Sequence, residues 1–156
     1  MAQSSKRQLY RDSRWICIQV EQQLNRCLAP KGITAVQANI LLYILRQSGR
    51  GVSLTDIHRA FGYSMATLSS MAKRLREKGY IRAERCQGDE RCHLLLGTEK
   101  GLQLQGELEE AVSAAERQLF CGFSPEELAA LGALQEKLMH NLAVFEEKRQ
   151  KEESRP

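Results

Sequence analysis

Between Ser64 and Arg91 the sequence sets small side chains, hydroxyls and cations at intervals that suit contact with a long polyanion. Ser64 can cap a helix, since a serine hydroxyl accepts from the free amides of a first turn. At about 100° per residue, Met65, Leu68, Ala72 and Leu75 fall on one arc of that helix and are expected to face the core. Ala66, Thr67, Ser70, Lys73 and Arg74 fall on the opposite arc. An ordinary solvent face would carry Glu–Lys pairs there. Small residues instead let a helix enter a major groove, hydroxyls exchange hydrogen bonds with base edges, and Lys or Arg pair with phosphates. Beyond this helix a hairpin loop is expected to bring Arg82, Arg85 and Arg91 to the same side, and loop-borne arginine suits a narrow minor groove. Asp89, two residues before Arg91, is placed to hold its guanidinium by a charge-assisted bond.

The elements that must position these residues are legible around them. Apolar residues at three-to-four spacing predict a long helix over 5–29, ended by Pro30-Lys31-Gly32. Thr34-Ala35-Val36-Gln37 has the form of a capping box and opens a second helix. Ser53 opens a third, with Leu54, Ile57 and Phe61 inward, and Gly62 ends it. Only a short turn separates it from the Ser64 helix, so the two form a helix-turn-helix. The period then shortens: 80–86 and 92–96 read as strands joined by a loop over 87–91. Thr98 caps a fifth helix. Ser124-Pro125-Glu126-Glu127 starts a sixth, whose Leu128, Leu131, Leu134, Leu138, Leu142 and Phe145 share one stripe. Its polar end is expected to fray.

Composition narrows the function classes. The 156 residues carry 23 Lys plus Arg against 19 Asp plus Glu, a formal charge of +4. That charge is uneven: residues 31–100 hold 12 basic and six acidic side chains, whereas 101–156 hold six basic and 11 acidic. A basic middle and an acidic tail fit an anion-facing surface and a segment held away from it. No apolar run approaches the ~18 residues of a membrane span, and the start has no apolar stretch of a secretion signal, so a cytoplasmic protein is expected. No phosphate-binding Gly loop, nucleophile elbow or HExxH pattern is present, so no enzyme is expected. RNA readers display aromatic platforms, which the exposed arcs lack. A winged helix that binds only another protein is the rival, and it would tolerate loss of Arg74 and Arg91.

Helix-turn-helix, two-stranded wing and net positive charge together resemble the multiple-antibiotic-resistance regulator (MarR) family of bacterial transcription factors. The resemblance rests on the Ser-rich run Ser64-Met65-Ala66-Thr67-Leu68-Ser69-Ser70, its end at Leu75-Arg76-Glu77-Lys78-Gly79-Tyr80-Ile81, the wing triplet Asp89-Glu90-Arg91, and Leu96-Gly97-Thr98-Glu99-Lys100-Gly101. It implies a mainly α fold with a two-to-three-stranded wing, in which 33–98 form the DNA-binding lobe while 1–32 and 99–156 form dimerisation helices. It further implies a homodimer that binds a pseudo-palindromic operator on double-stranded DNA, represses transcription and is released by a small ligand. The same family contains redox sensors, which keeps a thiol-based regulator as an alternative. The peroxide-sensing pattern is not met, because Ala35 stands where a tyrosine is needed and Cys17 is out of register.

The family's ligand pocket maps to the first two helices and the start of the fifth. Trp15 and Tyr43 are candidate apolar walls for a small aromatic ligand, with Arg11 or Arg14 for an anionic group, and Cys17 is a candidate thiol. Five cysteines at irregular spacing fit reduced thiols. Cys17 and Cys27 read as small core or interface hydrophobes, and Cys86 and Cys92 as exposed strand-end thiols, although they could face each other. Neither these cysteines with His93, nor His58 and His140, have metal-ligand spacing, so neither metal nor cofactor is expected.

Overall fold

The computed structural model describes residues 5–47 and 49–154, the side chains of 89–92 excepted. Its elements run α1 (Lys6–Leu28), a 3-10 turn (Ala29–Lys31), α2 (Ala35–Arg46), α3 (Leu54–Phe61), α4 (Met65–Glu77), β1 (Ile81–Cys86), β2 (Asp89–Gly97), α5 (Glu99–Leu119) and α6 (Pro125–Glu153). The caps read from the sequence are formed. Thr34 with Gln37, Ser53 with Asp56 and Ser124 with Glu127 each close a reciprocal box, satisfying amides that a first turn leaves free.

The chain divides into two compact units, one ending at Leu119 and one starting at Phe120. The core of the first gathers Leu24 and Leu28 from the end of α1, most of α2, Ile57 of α3, Leu68, Ala72 and Leu75 of α4, Ile81 and Leu95 of the sheet, and Leu108 of α5. The Asn25 carboxamide oxygen accepts from the Ala35 amide at 2.6 Å, fastening α1 to the start of α2. Lys31 pairs with Glu107, and Arg46 reaches Glu109 at 3.5 Å, so the turn ahead of α2 and the end of α2 are both tied to α5. The Glu109 carboxyl is held below its ordinary range chiefly by the Gln105 side chain and secondarily by Arg46.

The Leu96-to-Gly101 run owes its glycine to a close approach. A Cβ on Gly101 would lie 2.3 Å from the Tyr80 carbonyl oxygen, a backbone atom that cannot swing away. Thr98 completes this junction: its hydroxyl donates to the Gly79 carbonyl at 2.6 Å and accepts from the Gly101 amide. The wing hairpin is antiparallel, with Arg82 opposite Leu96 and Arg85 opposite His93. A register shift between Arg85 and Cys86 lets β2 start at Asp89, so the turn is two residues, Gln87 and Gly88, rather than the five expected. Val52 adds a third, isolated bridge to Leu95.

In the second unit Phe120 and Phe123 meet edge to face at 5.9 Å ahead of α6. No residue of α6 is buried. The helix continues to Glu153, with Arg149 bridging Glu146 and Glu153 in its last turns. No single helix among the described residues is long and apolar enough to cross a membrane.

Candidate nucleic-acid interface

The helix-turn-helix is set by a three-residue connection. Gly62 takes the left-handed conformation, φ +74°, and its amide donates to the His58 carbonyl at 2.7 Å, ending α3. A hydrogen bond of 2.7 Å joins the His58 Nδ1 to the Tyr63 carbonyl across the turn. Tyr63 stacks on Phe61, which meets Tyr43 edge-on at 5.8 Å, and the Asn39 amide donates to the Tyr63 hydroxyl. Phe61 is thus one face of an aromatic cluster on the lobe surface, 40% exposed, and not the core residue expected. At the head of α3, Ser53 donates to Asp56 through its amide and its hydroxyl and holds that carboxyl below the usual carboxylate range.

On α4, Leu68, Ala72 and Leu75 are buried while Ala66, Ser70, Lys73 and Arg74 are exposed, as the two arcs require. Met65 departs from the expectation and is 47% exposed. It is the first residue of the helix, and helical side chains lean toward the N-terminus, which carries this one past the packed turns. Ser64 serves as the cap, accepting from the Thr67 amide at 3.1 Å. Its own hydroxyl donates to the Thr67 hydroxyl at 2.9 Å. The Thr67 hydroxyl is thereby oriented by Ser64 and keeps further hydrogen-bonding capacity for a base edge. That suits the polar base edges of a major groove.

In the wing, strand alternation separates residues grouped together in the sequence. Ala83, Arg85, His93 and Leu95 share the odd face, and Ala83, His93 and Leu95 line a groove with α4. Arg82 lies on the other face, where it pairs with Glu84, so Arg82 and Arg85 are not on one side. Asp89 and Arg91 start β2, and their proposed mutual bond lies outside the described residues. Cys86 is half-buried and disulfide-bonded, not the exposed thiol expected. The side chain of Cys92 lies outside the description. Cys17, Cys27 and Cys121 are free and exposed, so the first two are not core residues within this chain.

Three residues that the sequence reading left out join this surface. Ser69 and Arg76 on one flank of α4 and His93 on the sheet line a groove of about 720 Å³ together with Ser70 and Lys73. The candidate ligand residues are more dispersed. Trp15 and Cys17 are exposed on α1, while Tyr43 is half-buried in the aromatic cluster of α2 and α3. No group of three potential metal ligands occurs among the described residues.

The sequence profile of the MarR family matches residues 31–91. Among solved structures, the S. aureus MepR–DNA complex is 22% identical, with TM-score 0.78 over 89% of this chain and 99% of its own. AbsC, a MarR family transcriptional regulator from Streptomyces coelicolor, is 23% identical, with TM-score 0.76 over 92% and 99%. A MarR protein from Peptoclostridium difficile is 19% identical, with TM-score 0.80 over 91% and 92%.

Proposed function

From this chain's place in the MarR family, carried by its helix-turn-helix and wing and by a MarR regulator fold, we propose that it is a cytoplasmic, dimeric, sequence-specific repressor of transcription. The observation that carries the reading is α4: its outer face offers Ala66, Ser70, Lys73 and Arg74, with the Thr67 hydroxyl beside them and no carboxylate until Glu77. Thr67 and Ser70 read bases. Lys73, Arg74 and, from the wing, Arg91 hold phosphates or a narrow minor groove. Ser64 acts by capping the helix, and Arg82 is the weakest member because Glu84 offsets its charge. The S. aureus neighbour is a DNA complex, which supports this assignment.

Residues 33–98 act as the reading lobe, and 1–32 with 99–156 as dimerisation helices. The exposed apolar stripes of α1 and α6 support a second copy as their cover. Release is by a small aromatic ligand bound near Trp15 and Tyr43. A second reading, release by oxidation, is favoured by one observation, the free and exposed thiol of Cys17. Selection of bound duplexes from a random pool tests the main reading: a pseudo-palindrome with half-sites ~10 bp apart is expected, and failure to enrich any palindrome overturns it. Operator release by mild peroxide in the wild type, abolished in Cys17→Ser, would establish the second reading in place of the ligand.

A further inference from the structure

The first turn of α4 carries the proposed base reader Thr67, yet core packing does not hold that turn. Met65 and Ala66 are exposed, Thr67 is half-buried, and the first buried residue of the helix is Leu68. The stripe of Leu68, Ala72 and Leu75 decides which face of α4 turns inward. It leaves the placement of the first turn to the connection that leads into it.

Within that connection Gly62 ends α3 and Ser64 caps α4. Tyr63, between them, is fastened through its carbonyl, its ring and its hydroxyl. The carbonyl bonds the His58 ring at 2.7 Å, and because a carbonyl only accepts, Nδ1 carries the proton. The ring stacks on Phe61 with centroids 5.7 Å apart. The hydroxyl accepts from the Asn39 carboxamide at 3.2 Å. Two of these grips come from α3 and the third from α2. Phe61 in turn meets Tyr43 edge-on, and Asn39 and Tyr43 are four residues apart, so they stand on one face of α2. That face holds the turn both directly and through Phe61. Beyond Tyr63 the contacts run on without a gap. The next residue is Ser64, whose hydroxyl accepts from the Thr67 amide and bonds the Thr67 hydroxyl.

Resting on the operator-binding reading above, we propose that Tyr63 is a positioning residue for sequence discrimination. Tied to Asn39, it fixes where Ser64 starts α4 and so sets Thr67 in register with the base it reads. Lys73 and Arg74 lie beyond Leu68, where the core stripe already holds the helix, and attraction to phosphates does not depend on Tyr63.

The test uses the full chain, the operator that the wild type selects and an unrelated duplex. Tyr63→Phe keeps the ring on Phe61 and removes only the hydroxyl. It is expected to weaken operator binding about fivefold, the worth of one hydrogen bond. Affinity for the unrelated duplex, and its salt slope, should stay as in the wild type. Asn39→Ala should lose the same discrimination, and the double variant should lose no more than either alone, since both act through one contact. The loss should fall on the same base pair that Thr67→Ala affects. Thermal melting is followed in parallel. A lowered melting temperature with wild-type discrimination overturns the proposal, because Tyr63 then serves stability alone. Equal weakening of both duplexes with a shallower salt slope overturns it as well, and makes Tyr63 a phosphate contact. Additive losses in the double variant overturn the tie through Asn39. Absence of any site selected by the wild type overturns the operator reading and the positioning role with it; a selected site that Tyr63→Phe discriminates as the wild type does overturns the positioning role alone.

Discussion

In the winged lobe the chain covers its own large apolar residues: Leu41, Ile57, Leu68 and Leu75 are fully buried among α2, α3, α4 and the sheet. On α1 and α6 the same residue types face outward, with Trp15 63%, Leu138 60%, Leu142 69% and Phe145 76% exposed. The stripes of both regions have the same three-to-four spacing, so patterning alone does not distinguish them. Closure distinguishes them. Around the lobe helices the chain returns from several directions between Leu24 and Leu108, whereas nothing within its own unit covers α6. A contiguous apolar face of that extent marks an interface, and under the proposed function its cover is the same face of a second copy.

The largest expected effect breaks this comparison directly. Removing residues 124–156 should give a monomeric or poorly soluble product, seen by sedimentation, because the partner surface is lost. A soluble truncated protein that still sediments as a dimer would place dimerisation in α1 and α5 alone. The paired substitution Leu138→Glu with Leu142→Glu probes the same surface without shortening the chain, and should lower the association state by charge repulsion.

The next effect separates the two kinds of burial by their concentration dependence. Leu68→Ala removes a fully buried side chain from the lobe and should cost about 2–5 kcal/mol by chemical denaturation, with the same loss at every protein concentration. Leu142→Ala should instead shift a midpoint that moves with protein concentration, since its burial depends on association. Equal behaviour of the two variants would remove the distinction between a closed lobe and an open interface.

Within the lobe, contacts that choose bases should differ from contacts that only attract. Thr67→Ala and Ser70→Ala should change which operator positions are preferred, by about 1–3 kcal/mol per affected base pair. Arg74→Ala should weaken every duplex uniformly, and Arg91→Ala should do so with some loss of A·T preference. An Arg91→Ala protein that binds all sites as the wild type does would leave the wing without a role.

Most of the architecture was legible because the local signals were strong and mutually consistent. Capping residues fixed the starts of α2, α3 and α6, and the arcs of α4 sorted its buried from its exposed residues, except for exposed Met65 and half-buried Thr67. What was not legible depended on register and on end effects. A five-residue hairpin loop was expected where the shift at Arg85 and Cys86 permits two, and only the ladder shows that Arg82 and Arg85 face opposite ways. The choice of arc was also too narrow: Arg76 sits one turn beyond Lys73 on the flank of α4, but it becomes part of a surface only once the sheet brings His93 opposite. The disulfide state of Cys86 has no periodic signature at all.

The smallest expected effect concerns the head of α3, where the lobe's self-sufficiency can be titrated. Asp56 accepts from the Ser53 amide and hydroxyl, both at 2.9 Å, and these bonds, ahead of the charge of Arg59, hold its carboxyl below the ordinary 3.8. Because the folded value is depressed, the contribution to stability is fully present above the unfolded value and is lost as pH falls through the folded one. Asp56→Asn should therefore lower stability at pH 7 by roughly 1 kcal/mol or less, the scale of a capping contact. The deficit should persist down to about pH 5. Below the ordinary 3.8 it should shrink, because the unfolded chain takes up its proton first, and it should vanish once the folded carboxyl is protonated as well. Urea midpoints of the two proteins at pH 7, 5, 4 and 3 measure this. A gap that stays constant to pH 3 would mean that the carboxamide fails to cap for steric reasons, and that the charge of Asp56 contributes nothing to the turn that carries α4.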